Sequence, residues 1–253
     1  KVLMFGWEFP PKIYGGLAVA SYGITKGLSL QGDVETTFCM PKPCGEEEQF
    51  LNIIGMNQVP IVWRDVNYDY LKERLPSYMT PEQYYAFRDH IYADFSYMHV
   101  NDLGCMEFGG GYPSNLHEEI NNFSVIAGVV ARQQEFDIIH AHDMKASFFA
   151  ALLCGRIPLI SHVHNNNFDS RGISAKALFY RYAAQKAKHI FWVSKSAYEG
   201  YAFHEQFEGK SSILYNVIDA EEVYKKAAQD EKEYAYDIVY VGRLTPPKNP
   251  QRL

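Results

Sequence analysis

Glu8, Lys12 and the pair Gly15-Gly16 share one stretch, FGWEFPPKIYGGLAVA at 5–20. The apolar run Val2–Phe5 precedes it and helix-like sequence follows. Where a strand hands over to a helix, a loop glycine lets backbone N–H groups come close to a ligand. The helix N-terminus adds about half a positive charge. Together they form an anion site suited to phosphate, to which Lys12 would add a cation. The pattern is neither the GxGxxG dinucleotide fingerprint nor a GxxxxGK[ST] phosphate loop. A plain tight turn therefore stands beside the anion-site reading. Glu8, just past the first strand, falls on the ligand side of an open parallel sheet. The plainer alternative is a solvated loop carboxylate.

Two histidine pairs form the other chemically suggestive stretches, His140-Ala141-His142-Asp143 and His162-Val163-His164-Asn165. Each follows an apolar run, and a period of two sets each pair on one strand face. HxH is a metal-ligand spacing. In metal-dependent hydrolases, however, the motif continues with Asp-His, whereas Met144-Lys145 follows here and places a lysine beside the would-be cation. No metal is expected. His140 and His162 read as core histidines. His142 and His164, expected beyond the strand ends and nearer solvent, read as ligand contacts, because a neutral imidazole can donate to a sugar hydroxyl without bringing full charge.

Strands and helices must alternate to position these groups, and the chain has that pattern. Strands are expected at Val2–Phe5, Val34–Cys39, Asn52–Ile54, Val59–Trp63, Phe136–His140, Leu159–Val163, Ile190–Val193, Ser212–Leu214 and Asp237–Val241. Helices are expected from Gly16 to about Leu30, with Leu17, Ala20, Ile24 and Leu28 on one face, and from a Ser114 cap to about Gln134. Further helices are expected after Thr80-Pro81-Glu82, over Met144–Leu153, Ser174–Lys186 and Ser196–Phe207, and in Ala220–Tyr234. Gly109-Gly110-Gly111 reads as a loop.

The totals agree with a globular α/β protein. The 253 residues are 47% hydrophobic, and the formal charge of −6 gives none of the basic surface of a general nucleic-acid binder. Cysteines 39, 44, 105 and 154 lack CxxC spacing, so reduced thiols in a cytoplasmic protein are expected. The chain opens at Lys1 without methionine, shows no signal-peptide pattern, and has no apolar run near the ~20 residues of a membrane span.

Six stretches carry a resemblance: WEFPPKIYGGLA at 7–18, FDIIHAHDMKASFFA at 136–150, ISHVHNN at 160–166, WVSKSAYEG at 192–200, ILYNVIDAEEV at 213–223 and VYVGRLTPPKN at 239–249. In this order the chain resembles nucleotide-sugar-dependent retaining glycosyltransferases of the two-domain GT-B type, above all glycogen and starch synthases. The resemblance implies a Rossmann-like, doubly wound parallel sheet at 1–219, a linker at 220–236 and the first strand of a second, nucleotide-sugar-binding domain at 237–253. It implies Gly15 and Gly16 near the donor diphosphate, Asn165 in the loop below the sugar, and Arg243 and Lys248 on the diphosphate from the second domain. His142 on the donor sugar and Glu8 in the substrate cleft are the implied catalytic pair. Lys12, a further donor-side candidate, lies one position further from the glycines than in the synthases' KxGG. No cofactor or metal is implied, because cations and a helix end neutralise the leaving diphosphate.

The implied reaction is glucose transfer from ADP- or UDP-glucose to an α-glucan, with this stretch silent alone. Two alternatives share the motifs: a transferase of surface polysaccharide or glycoconjugate synthesis, and a non-catalytic carbohydrate- or nucleotide-binding module. The Tyr-rich stretch 67–97 reads either as an acceptor groove or as ordinary packing. The strand Asp237–Val241 offers an edge through which copies could pair.

Overall fold

The computed structural model describes residues 1–61, 100–143, 154, 157–164 and 175–229. Within these, β1 is Val2–Phe5, α1 Gly16–Ser29, β2 Thr36–Met40, β3 Asn52–Gly55, α2 Leu116–Gln133, β4 Ile138–His142, β5 Leu159–Val163, α3 Ala175–Lys186, β6 His189–Trp192, α4 Lys195–Glu199, β7 Ser211–Ile213 and α5 Ala220–Ala228. Residues Lys1–Ile218 form one compact unit and Asp219–Leu253 another. In the second, α5 is capped by the Asp219 side chain, which accepts from the Glu222 amide.

Seven strands form one sheet in the order β3-β2-β1-β4-β5-β6-β7. Every pairing is parallel. The chain winds outward from β1 to β3, then crosses to the other side of β1 and winds out to β7. The strand order therefore reverses between β1 and β4, which opens a crevice beyond their carboxyl ends. Alternation along β1 and β2 feeds a core on each face. Leu3, Phe5 and Cys39 join α2 and α3 in the larger core, which includes Phe123, Ile126, Val130 and Ala183. Met4, Phe38 and Met40 join Phe9 on the other face, under Tyr22, Ile24 and Leu28 of α1. This is the expected doubly wound α/β sheet.

Several local expectations change. The buried face of α1 is Ala18, Ala20, Ser21 and Thr25 rather than the larger apolar residues. Small side chains let the helix backbone sit close to the sheet, and Ile24 and Leu28 reach the core from its flanks. Helix α2 is capped by Asn115, not Ser114, and no side chain bonds its first amides. Residues 59–61 are not a strand; the Ile61 amide instead bonds the Gly104 carbonyl at 2.8 Å. The expected helix 196–207 is two pieces, α4 and a 3-10 turn at His204–Lys210, separated at Gly200. Ser194 caps α4 by accepting from the Ala197 amide. The Lys210 ammonium in that turn donates to the carbonyls of Gln185 and Ala187 at the end of α3.

One shift matters for function. The strand expected at 136–140 is β4, at Ile138–His142. His142 therefore lies inside the sheet and is 3% exposed, not beyond it and near solvent. Pairing on both sides, with β1 and β5, keeps β4 extended two residues further than its apolar run suggests. The Tyr-rich stretch 67–97, the helix expected to open at Thr80-Pro81-Glu82 and the elements expected at 144–153 and 237–241 lie outside the described residues.

Candidate functional site

At the carboxyl end of β1 the chain turns at Gly6, where a Cβ would stand 2.2 Å from the Phe38 ring. Trp7 and Glu8 follow, then a turn in which Phe9 and Lys12 pair across two prolines. Lys12 is exposed. Glu8 is 1% exposed and engaged through both oxygens. The amides of Tyr14 and Gly15 donate to its Oε2 at 2.6 and 2.9 Å. The Tyr112 hydroxyl donates to its Oε1 at 2.8 Å. The acid expected in the cleft thus ties the glycine loop to its own strand end.

Neither glycine of the pair is demanded by its backbone: Gly15 is extended and Gly16 is helical. A Cβ on Gly16 would meet nothing within 4 Å. The N-terminus of α1 has no side-chain cap and no acid in its first turn.

A second loop closes on the first. The Trp7 indole N–H donates to the Gly111 carbonyl at 2.7 Å. The Gly109 amide donates to Glu119 Oε1 at 2.7 Å, which anchors the loop to α2. Gly110 and Gly111 have φ of 76° and 70°, a left-handed conformation that glycine adopts without penalty. The Tyr14 ring lies over Gly111 and meets Tyr112 edge-on, with centroids 6.4 Å apart. Trp7, Tyr112 and Glu119 were not among the sequence-derived candidates. The GGGY run at 109–112 was visible only as a loop, because nothing local shows where its tyrosine reaches.

The histidines meet on one sheet face, since His142 of β4 is level with His162 of β5. His142 Nδ1 and His164 Nε2 are 2.8 Å apart, in rings within 9° of parallel. His140 Nε2 and His162 Nδ1 are 3.3 Å apart, in rings within 8°. Both are edge-to-edge pairs, and one stacks on the other: His140 on His142 at 4.8 Å and His162 on His164 at 4.2 Å. Burial pushes His140 down to about 3 and His162 to about 4, and holds His142 and His164 well below the ordinary histidine range. All four are neutral at pH 7. Among the described residues, His142 Nε2 and His164 Nδ1 are buried without a partner, whereas the Leu214 backbone lies within hydrogen-bonding reach of the His162 ring.

Asp143 locks the strand ends together. Its amide donates to the His162 carbonyl at 2.6 Å, and its Oδ1 accepts from the His164 amide at 3.1 Å. Its φ of 67° is a conformation that aspartate tolerates better than most residues.

His140, His142 and His162 offer nitrogens all within 4.8 Å of one another, close enough for one ion. The facing nitrogens of each pair point at each other, however, as hydrogen-bonded rings do. A cavity of about 450 Å³ at the amino end of β2, lined by Gly32–Thr36 and Gln49–Asn52, holds none of the motif residues. Phe5 pairs with Ala141, so the strand end that leads into the Glu8 loop lies beside the strand end that holds the buried His142. Asn165, Arg243 and Lys248 lie outside the described residues.

The family description of a starch synthase catalytic domain matches residues 1–212. The chain belongs to that family. It is 25% identical to an uncharacterized glycosyltransferase of Methanocaldococcus jannaschii over 97% of this chain and 56% of that protein. Its fold is similar to the catalytic domain of starch synthase IV from Arabidopsis thaliana, solved with ADP and acarbose. The TM-score there is 0.51, with 15% identity, over 87% of this chain and 52% of that one. The chain thus spans about half the length of the relatives it matches. This starch synthase-type sheet is one Rossmann-like half of the GT-B architecture. No helix among its described residues is long and apolar enough to cross a membrane.

Proposed function

We propose that this chain is the acceptor-side part of a nucleotide-sugar-dependent glycosyltransferase that moves glucose from ADP- or UDP-glucose to an α-glucan. What carries the reading is a buried, neutral His142 with an unpartnered Nε2 and a Glu8-held glycine loop on neighbouring strand ends at the β1–β4 switch point. In this reading His142 Nε2 meets a hydroxyl of the donor sugar. The open space over Gly16 and the uncapped start of α1 receive the diphosphate. Lys12, Asn165, Arg243 and Lys248 are assigned to the donor, the last two from the second domain beginning near residue 237 after a linker at 220–236.

The chemistry follows from charge. As the glycosidic bond breaks, the nucleoside diphosphate gains negative charge. Fixed donors and cations aimed at it lower the barrier, each by about 3–4 kcal/mol where water is excluded. Arg suits bidentate phosphate contact and Lys a point charge. Glu8 acts by positioning: its three hydrogen bonds hold the loop up to the N-cap of α1 and tie it to Tyr112. No metal or cofactor is needed for this chemistry. We propose that the protein works in the cytoplasm, where nucleotide sugars are supplied.

The test is to incubate the full-length protein with ADP-glucose or UDP-glucose and a glucan primer, following nucleoside diphosphate release and chain growth. Elongation with one donor is expected. Release with neither donor, under conditions where the fold is intact, refutes the reading. Residues 1–253 alone are expected to be silent, and robust transfer by them would overturn that part.

A further inference from the structure

The neutrality of the histidine cluster has a chemical consequence. Two neutral imidazoles that face each other across 2.8 Å share one proton, so the tautomer of one dictates the tautomer of the other. His142 and His164 therefore have two joint states. In one, His142 Nδ1–H donates to His164, His142 Nε2 is a bare acceptor, and His164 must carry an N–H at its buried, unpartnered Nδ1. In the other, His164 Nε2–H donates to His142 Nδ1, His142 carries its proton on Nε2, and His164 Nδ1 is bare. A ligand oxygen at His142 Nε2 satisfies that nitrogen in either state. What remains is a buried unmet N–H on His164 in the first state and a buried bare nitrogen in the second. Among buried backbone groups an orphaned N–H is rarer than an under-satisfied acceptor, and the same preference favours the second state here.

We propose that His164 is a positioning residue. By donating its Nε2–H to His142 Nδ1 it fixes His142 as the Nε2–H tautomer, so that His142 presents an uncharged donor to a sugar hydroxyl. Three features of the fold hold the pair in register. The partnering of His142 with His162 sets the height of the two strands. Asp143 ties the His164 amide back to the end of β4. The His140–His162 pair stacks beneath and keeps the rings upright. Without His164, the His142 ring loses the contact that selects its tautomer. The role in sugar binding rests on the transferase reading; the tautomer assignment does not.

The experiment labels the intact protein with ¹⁵N-histidine and records long-range ¹H–¹⁵N spectra between pH 6 and 8, with and without ADP-glucose or UDP-glucose. His142→Ala and His164→Ala variants assign the signals. With nucleotide sugar bound, His142 and His164 should both show the neutral Nε2–H pattern. His164→Ala should change the His142 pattern and weaken nucleotide-sugar binding about tenfold. His164→Asn and His164→Gln, whose amides can donate to Nδ1, should recover most of the affinity, which a merely structural loss would not allow. A His142 pattern indifferent to His164→Ala overturns the proposal, as does a His142 protonated on Nδ1 in the complex. So does stoichiometric Zn(II) uptake that shifts all four rings together, since the nitrogens would then serve an ion and not each other. If the pairing holds in the free protein but neither nucleotide sugar binds, the tautomer assignment survives and the transferase reading fails.

Discussion

His142 and Glu8 were expected to act as a pair in the cleft, yet their surroundings set them to different tasks. His142 keeps one nitrogen uncommitted, whereas both oxygens of Glu8 are in use. In the full-length enzyme His142→Ala should therefore lower kcat by about 10²–10³-fold with the circular dichroism spectrum unchanged, as for loss of one aligned donor. Glu8→Ala should act first on stability. It removes the acceptor of two part-buried amides and of the Tyr112 hydroxyl, which costs about 1–3 kcal/mol. Urea unfolding checks this, and a variant as stable as the parent would show that the loop does not depend on the carboxylate. The four cysteines are free, and burial pushes the Cys154 thiol up to about 12, so Cys154 is an inert packing group.

Strands β4 and β5 carry the histidine ladder, and the ladder sets an acid limit on the fold. His140 and His162 titrate at about 3 and about 4 in the folded protein, against an ordinary 6.5. Above pH 6.5 they are neutral in both states and cost nothing. As pH falls below 6.5 the unfolded chain takes up protons first. Stability is then lost between about pH 6.5 and 4, by about 1.4 kcal/mol per pH unit for each group. Unfolding free energies across that range should fall steeply, and His162→Gln should flatten the slope. The hand-over from β1 is equally constrained. Gly6→Ala drives a Cβ to 2.2 Å from the fully buried Phe38 ring and should destabilise by about 1–3 kcal/mol or more, read by thermal melting. Most of these elements were legible in the sequence because apolar runs mark central strands: β1 and β5 fall where expected. The end of β4 was not, because Ala141 and His142 add no run of large apolar residues to mark a strand. Only pairing with its neighbours keeps that segment in the sheet.

At the scale of the sheet, the reversal of strand order between β1 and β4 brings the loop after the first strand beside the histidine-bearing end of the fourth. Because the proposed chemistry uses cations and a helix end, treatment with EDTA should leave turnover within about twofold, and any deeper loss would point to an ion among the imidazoles.

The order of strands and helices, the glycine loop after β1 and the HxH pairs were all written in local pattern: periodicity, turn residues and spacing. Those properties depend only on neighbours along the chain. Which groups would touch did not. Glu8 met Tyr112 across 104 residues, Trp7 met Gly111 across 104, and His142 met His164 across 22. Such contacts are set by strand register and sheet order, which arise when the two faces of the sheet bury their apolar side chains together. The tertiary structure thus decided that the acid holds a loop and that the histidines face each other in pairs.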